Sequence, residues 1–362
     1  MYKLLFACIF LSVTGVTFGQ TKKSSSFIDE EIRIPVPKSE LYVRMRGNPN
    51  KPLIINLHGG PGGYSGIDIK LMGPGLESHY LMAWLDQRGC GKSPVSSDST
   101  LLNVSQYIED LNIVVDTLIS RYHKTKINLI GTSWGGMYGF LYVLNHQKKV
   151  GAYACVDGKA NSQYQNSSLI EHELRLIEKK LGQNPSQKER ETLLAMQEDL
   201  QRIKSSNFEK FYLDVNRIKH EYPPKLGFNA YFADTSKIIS TKSILADSAL
   251  LTLMKYSPKE YLAIGPKAER VNRAFRNNPD YNNMNIEPEL RKVKIPVSVI
   301  QGEKDYVVGI KHAHLIYDAL TDLSPEKKEL HIIPNTGHVP AIENPVILNE
   351  ILNSFFGKHA VD

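Results

Sequence analysis

The chain has 362 residues, 41% hydrophobic and 23% charged, with a formal net charge of +6. A chain of that length buries a core large enough to need no disulfide. Its positive charge is spread, with no run of five like charges, so a nucleic-acid partner is not indicated.

The first element in chain order is a leader. Lys3 precedes an apolar run from Leu4 to Phe18, shorter than the ~20 residues a membrane span requires. Thr17-Phe-Gly19 offers small residues at both cleavage-pocket positions, so residues 1–19 read as a secretory signal peptide. The mature chain is therefore expected to be secreted or periplasmic, without stable membrane insertion. Cys8 follows too little apolar chain, Leu4 to Ala7, to be a lipid-bearing cysteine. Lys22 to Ser26 reads as a polar leader. Loss of Cys8 leaves Cys90 and Cys155, expected as free, mostly buried thiols because no spacing forces a bridge.

Pro52 to Leu57 is a buried-strand pattern that runs into His58-Gly-Gly-Pro-Gly-Gly63. Four glycines in six residues let backbone N–H groups turn toward a ligand without Cβ interference. The loop lacks the Gly-Lys-Ser/Thr ending of a phosphate-binding loop and the spacing of a dinucleotide site. Tyr80 to Leu85 is the next strand, followed by Asp86-Gln-Arg-Gly-Cys-Gly-Lys-Ser93. An Asp86–Arg88 pair there is expected to fix loop geometry rather than to act in catalysis. Cys90 reads as a small packed residue.

Lys126 to Ile130 reads as a buried strand and Met137 to Leu144 as an apolar helix, with Gly131-Thr-Ser-Trp-Gly135 between them. A G-x-S-x-G turn wedged between strand and helix is a nucleophile elbow, which makes Ser133 the candidate nucleophile. A serine needs a base and a group to orient that base, in the chain order Ser, acid, His. Ile295 to Ile300 reads as a strand ending in Gln301-Gly-Glu-Lys-Asp305, and Leu330 to Ile333 as the last strand, followed by Pro334-Asn-Thr-Gly-His338. Asp305 and His338 are the candidate acid and base. Glu303 is the alternative acid, and Asp305 could instead cap a helix starting near Val307. His331 sits inside the strand, and His312 and His314 belong to the following helix. Backbone N–H groups of Gly60 and Trp134 are the expected oxyanion donors.

These motifs resemble those of the prolyl aminopeptidases, or proline iminopeptidases. The His58–Gly63 loop, Gln87 within Asp86–Ser93, and Trp134 after the serine carry the resemblance. It spans Leu53 to Val150 and Ile295 to Pro340. It implies an α/β-hydrolase core, a mostly parallel sheet flanked by helices with an inserted helical cap, and release of an N-terminal residue, typically proline. Thr132 stands where a second glycine often precedes the family's serine.

The interval from Ser133 to Asp305 is 172 residues, too long for one or two strand–helix crossovers. Ala152 to Val156 reads as a strand ending in Asp157-Gly158, and the core pattern resumes at Arg291. The expected organisation is a core over 20–158 and 291–362 with a helical cap over 159–290. Ser168 to Leu181, a helix started by Ser186 and Glu189 in a capping-box pattern, Phe208 to His220 and Lys242 to Met254 are its expected helices. A substrate ammonium would need carboxylates near the nucleophile. Glu171 and Glu173 are the first candidates, with Glu178 and Glu269 behind them. Tyr153, Tyr164, Tyr231 and Phe232 could line a pocket. No metal-ligand spacing or cofactor motif appears. The leading reading is an exported serine aminopeptidase acting on a short-peptide or small-molecule substrate. A carboxylesterase or acyl-amide hydrolase with the same triad is the runner-up, and a non-catalytic binding protein the third.

Overall fold

Strand β1 (Ile28–Val36) alternates exposed and covered side chains and pairs through a tight turn at Lys38 with β2 (Ser39–Gly47). This hairpin was not expected from the sequence. The five strands that follow, β3 (Leu53–Leu57), β4 (Leu81–Asp86), β5 (Ile127–Thr132), β6 (Val150–Val156) and β7 (Val297–Gly302), are buried almost throughout. Near-continuous apolar runs are what a parallel sheet covered on both faces requires. The edge strand β8 (Lys328–Ile333) is only half-buried. The computed structural model describes residues 27–95, 98–205 and 211–362, so the expected signal peptide and polar leader lie outside it.

The sheet order is β1-β2-β4-β3-β5-β6-β7-β8, with β2 antiparallel to its two neighbours and every other pair parallel. Successive side chains of a strand point to opposite faces. Ile55, Leu57, Ala83 and Leu85 accordingly meet α2 (Val104–Tyr122) and α3 (Trp134–His146) on one face. Ile54, Met82 and Trp84 meet α1 (Gly66–Leu76) and the C-terminal helix Pro345–His359 on the other. The Asn103 side chain caps α2 by accepting from the Gln106 N–H at 2.9 Å. Cys90 and Cys155 are free and buried, as expected.

Between β6 and β7 the chain is helical. Helix α4 (Ser162–Leu181) begins six residues before the expected Ser168, because the Asn161 side chain caps it at Gln163 and Tyr164. Its Leu169, Ile170 and Ile177 pack on Leu193, Met196 and Leu200 of α5 (Gln187–Ser205), whose Glu189 N–H bonds the Ser186 hydroxyl. The expected helix over 208–220 lies partly outside the described residues; from Phe211 it is helical and passes into a π-helical turn, Arg217–Glu221. The expected helix over Lys242–Met254 is two helices. Asp247 leaves helical backbone and caps the second of them. The ends of the insertion are clipped together: Ser162 N–H bonds Met284 O at 2.9 Å and Ile286 N–H bonds Ala160 O at 2.8 Å. No helix of the described residues is long and apolar enough to cross a membrane.

Candidate active site

Ser133 stands at the end of β5 with φ 57° and ψ −116°, a backbone conformation that a non-glycine residue adopts only under strong local constraint. The constraint is steric. A Cβ at Gly131 would lie 2.3 Å from Gly135 O, and one at Gly135 would lie 2.0 Å from Leu57 O. Only glycine lets strand, turn and helix close this tightly. Trp134 is the first residue of α3, so its N–H is one of the helix's unpaired donors. Gly60, at φ 135°, and Trp134 both line the same cavity as Ser133.

His338 Nε2 lies 2.9 Å from Ser133 Oγ, and its Nδ1 lies 2.9 Å from Asp305 Oδ2. The three residues chosen from sequence therefore form one hydrogen-bonded chain. Asp305 is fully buried, and its other oxygen accepts from Val307 N–H at 2.9 Å and Val308 N–H at 3.2 Å. Burial works to raise this carboxyl, but His338 and the two backbone donors hold it below the usual carboxylate range. Capping a turn and orienting the histidine are thus simultaneous roles of one side chain. The helix expected near Val307 begins only at His312. Glu303 faces away and binds the Asn335 N–H at 2.9 Å. His331 pairs with Glu329, and His314 is exposed. His312 accepts the Ala160 N–H at Nε2 (2.8 Å), and burial lowers its basicity to a pKa of about 4.

The loop that carries His338 is held from two sides. Glu343, buried, accepts the Gly337 N–H at 2.7 Å through one oxygen and the Ala233 and Asp234 N–H groups at 2.8 and 2.9 Å through the other. The His338 N–H itself donates to Tyr231 O at 2.7 Å.

Asp157, at the end of β6, went unassigned in the sequence although its Asp-Gly ending was visible. Its Oδ1 accepts the Gly302 N–H at 2.8 Å, and it clusters with Asp305 and His338, ligand atoms within 4.8 Å of one another. Burial and then the charge of Asp305 raise its carboxyl well above the ordinary range. Asp157→Asn keeps the side chain's shape and an oxygen to accept the Gly302 N–H, and is expected to change kcat by less than about tenfold. A loss of ~10⁴-fold in steady-state kinetics would instead make Asp157 the orienting acid.

The loop after β4 corrects one expectation. Asp86 and Arg88 each fix loop geometry, but not by pairing with each other. Asp86 accepts from Ser65 N–H and hydroxyl and from Lys92 N–H, at 2.7 to 2.8 Å. Arg88 makes two 2.7 Å bonds to Asp110 on α2, and both side chains are buried. Asp110→Ala leaves that guanidinium buried without its partner. The expected cost is about 3–5 kcal/mol, read as a lower urea midpoint. Gln87 joins the two loops: its amide donates to His58 O at 2.9 Å and accepts from Trp134 Nε1 at 2.9 Å. Cys90, buried, has its thiol pushed up to about 12, so it is no thiolate near the site.

A cavity of about 500 Å³ opens on Ser133, walled by Tyr64, Ile67, Leu71, Trp134, Tyr231 and Tyr281 among others. Of the expected aromatic lining only Tyr231 is present. Tyr153 is in the core under α3, Tyr164 packs on His312, and Phe232 does not line the cavity. Glu171 and Glu173 do not reach it either. Glu171 is exposed and pairs with Lys204 at 3.1 Å, while Glu173 is buried, where desolvation raises its carboxyl to about 9. Glu178 is exposed and Glu269 pairs with Arg273. The reason is the phase of α4: its inward stripe is Leu169, Ile170, Glu173 and Ile177, and that stripe faces the insertion's own core. Among the described residues the one carboxylate lining the cavity is Asp68, on α1, whose side chain accepts from Asn56 Nδ2 at 2.8 Å. Lys159, Lys219 and Arg276, also unassigned from sequence, line it too.

The chain is similar to known proteins over most of its length. The chain is 24% identical over 357 residues to the probable aminopeptidase YbaC of Bacillus subtilis (strain 168), covering 93% of this chain and 99% of that one. A shorter stretch of 119 residues is 32% identical to the proline iminopeptidase of Clostridioides difficile (strain 630), covering 32% of this chain and 39% of that one. The crystal structure of a proline iminopeptidase-related protein from Thermus thermophilus superposes with a TM-score of 0.62 at 19% identity, over 92% of this chain and 99% of that one. With the family model described as alpha/beta hydrolase fold matching residues 52–345, the chain belongs to that family and is an enzyme of the serine hydrolase type.

Proposed function

We propose that the protein is an exported serine aminopeptidase that releases an N-terminal residue, proline or a similar one, from short peptides. The observation that carries the reading is the Ser133–His338–Asp305 chain at 2.9 and 2.9 Å, opening on a cavity of small-molecule size. Its relatives named aminopeptidase and proline iminopeptidase supply the substrate class. Ser133 Oγ attacks the scissile carbonyl as His338 Nε2 takes its proton, and Asp305 keeps the other ring nitrogen protonated and aimed. The Gly60 and Trp134 N–H groups receive the oxyanion. His338 returns the proton to the leaving amine, and water then hydrolyses the acyl-enzyme by the same steps in reverse roles.

Asp68 takes the part first given to Glu171 and Glu173, as partner of the substrate ammonium. Burial pushes its carboxyl up to about 7, despite the hydrogen bond from Asn56. The charged form that binds an ammonium is present above that value and is lost as pH falls through it. Acetylating the substrate's amino group should lower kcat/KM by about 10²–10³-fold, the cost of breaking a desolvated pair of about 3–5 kcal/mol. Asp68→Asn should weaken the free-amine substrate and spare the acetylated one. Equal turnover of free and blocked substrates would remove the ammonium site.

One observation favours a second reading, a carboxylesterase or acyl-amide hydrolase: Ile67, Leu71, Met72, Val215, Val307 and Val308 give the cavity an apolar wall suited to an acyl chain. Chromogenic proline amide, alanine amide and short acyl esters, compared on the purified chain, separate the two.

A further inference from the structure

The cavity holds more positive charge than an ammonium-binding enzyme needs. Lys159 follows β6, Lys219 sits in the π-helical turn, and Arg276 ends the helix Ile264–Arg276. Three separate stretches thus deliver cations to the space that Ser133 faces. Lys159 is 5% exposed and Lys219 is 9% exposed. Among the described residues neither ammonium has a carboxylate within ion-pair distance. Lys159 Nζ instead stands 4.4 Å from the centre of the Tyr281 ring. The backbone next to it is held by the bonds from Ala160 and Asn161 N–H to His312 Nε2.

Burying a charged ammonium without a counter-charge is costly, and two on one cavity repel each other as well. Burial and the neighbouring Lys219 press Lys159 down to about 7. Burial and Arg276 press Lys219 down to about 8, opposed by Asp305. A fold keeps such a pair where a ligand supplies the missing charge. Set against the single carboxylate of Asp68, the two lysines give the cavity a second pole, of positive charge. A short peptide carries the complementary poles, an ammonium at one end and a carboxylate at the other.

We propose that Lys159 and Lys219, with Arg276 beside them, form a subsite for a substrate carboxylate, supplied by the free C-terminus of a di- or tripeptide. The ligand's identity rests on the aminopeptidase reading; the subsite itself does not.

The test separates the two. Ser133 of the purified chain is labelled with a fluorophosphonate in the presence of hexanoate or of hexanamide, which share a chain and differ in charge. Hexanoate is expected to slow labelling at concentrations where hexanamide does not, and Lys159→Met and Lys219→Met are each expected to weaken that protection about tenfold or more. Equal protection by acid and amide, or none by either, overturns the subsite, and this comparison on the unaltered chain decides even if a variant fails to fold. In a second arm, prolyl-alanine is expected to exceed prolyl-alanine amide in kcat/KM by about tenfold, carried in KM. Parity there overturns the peptide C-terminus as the ligand. Protection by hexanoate without cleavage of either dipeptide keeps the carboxylate subsite and rejects the aminopeptidase reading.

Discussion

Ser133→Ala is expected to abolish turnover, leaving at most the ~10³–10⁴-fold over water that binding and oxyanion donors provide alone. Alanine keeps the β carbon, so the strained elbow at φ 57° is neither relieved nor worsened. The thermal midpoint should therefore stay close to that of the parent while activity disappears. Covalent labelling by a fluorophosphonate, followed by peptide mapping, checks the assignment directly. Labelling that persists at a different serine would overturn it.

Asp305→Asn is the second large effect, about 10⁴-fold in kcat. The amide oxygen still serves Val307 and Val308, so the turn survives. The group facing His338 Nδ1, however, no longer carries the charge that stabilises an imidazolium, and its N–H favours the wrong tautomer. Glu303→Gln, on a side chain that binds only the neighbouring loop, should alter kcat by less than about tenfold. The reverse ranking in steady-state kinetics would hand the role to Glu303.

The serine and acid were legible because each sits just past a buried strand, and the histidine because it follows the half-buried edge strand β8, with a glycine-containing turn visible beside each. The same signals located β3 to β7 to within two residues at each end. The β1–β2 hairpin escaped because β1 is charged on its open face and reads as a polar segment. Cavity residues of the insertion escaped for a different reason. Whether a lysine or glutamate on a helix faces a cavity, a private core or water depends on how that helix is rotated against its neighbours. Glu173 and Lys219 are both charged residues on helical turns, yet one faces a hydrophobic cluster and the other the nucleophile's cavity. Asp157 was visible as a strand-end acid, but its closeness to Asp305 comes from β6 and β7 being neighbours in the sheet, which is a matter of topology.

Glu343 grips the histidine loop with one oxygen and residues 233–234 of the insertion with the other, while Tyr231 O holds the His338 N–H. Moving residues 231–234 away from the cavity would therefore break three of the hydrogen bonds that tie the insertion to the histidine loop and to Glu343. The loop of the base is thus seated partly by the insertion, so the core alone does not fix where His338 stands.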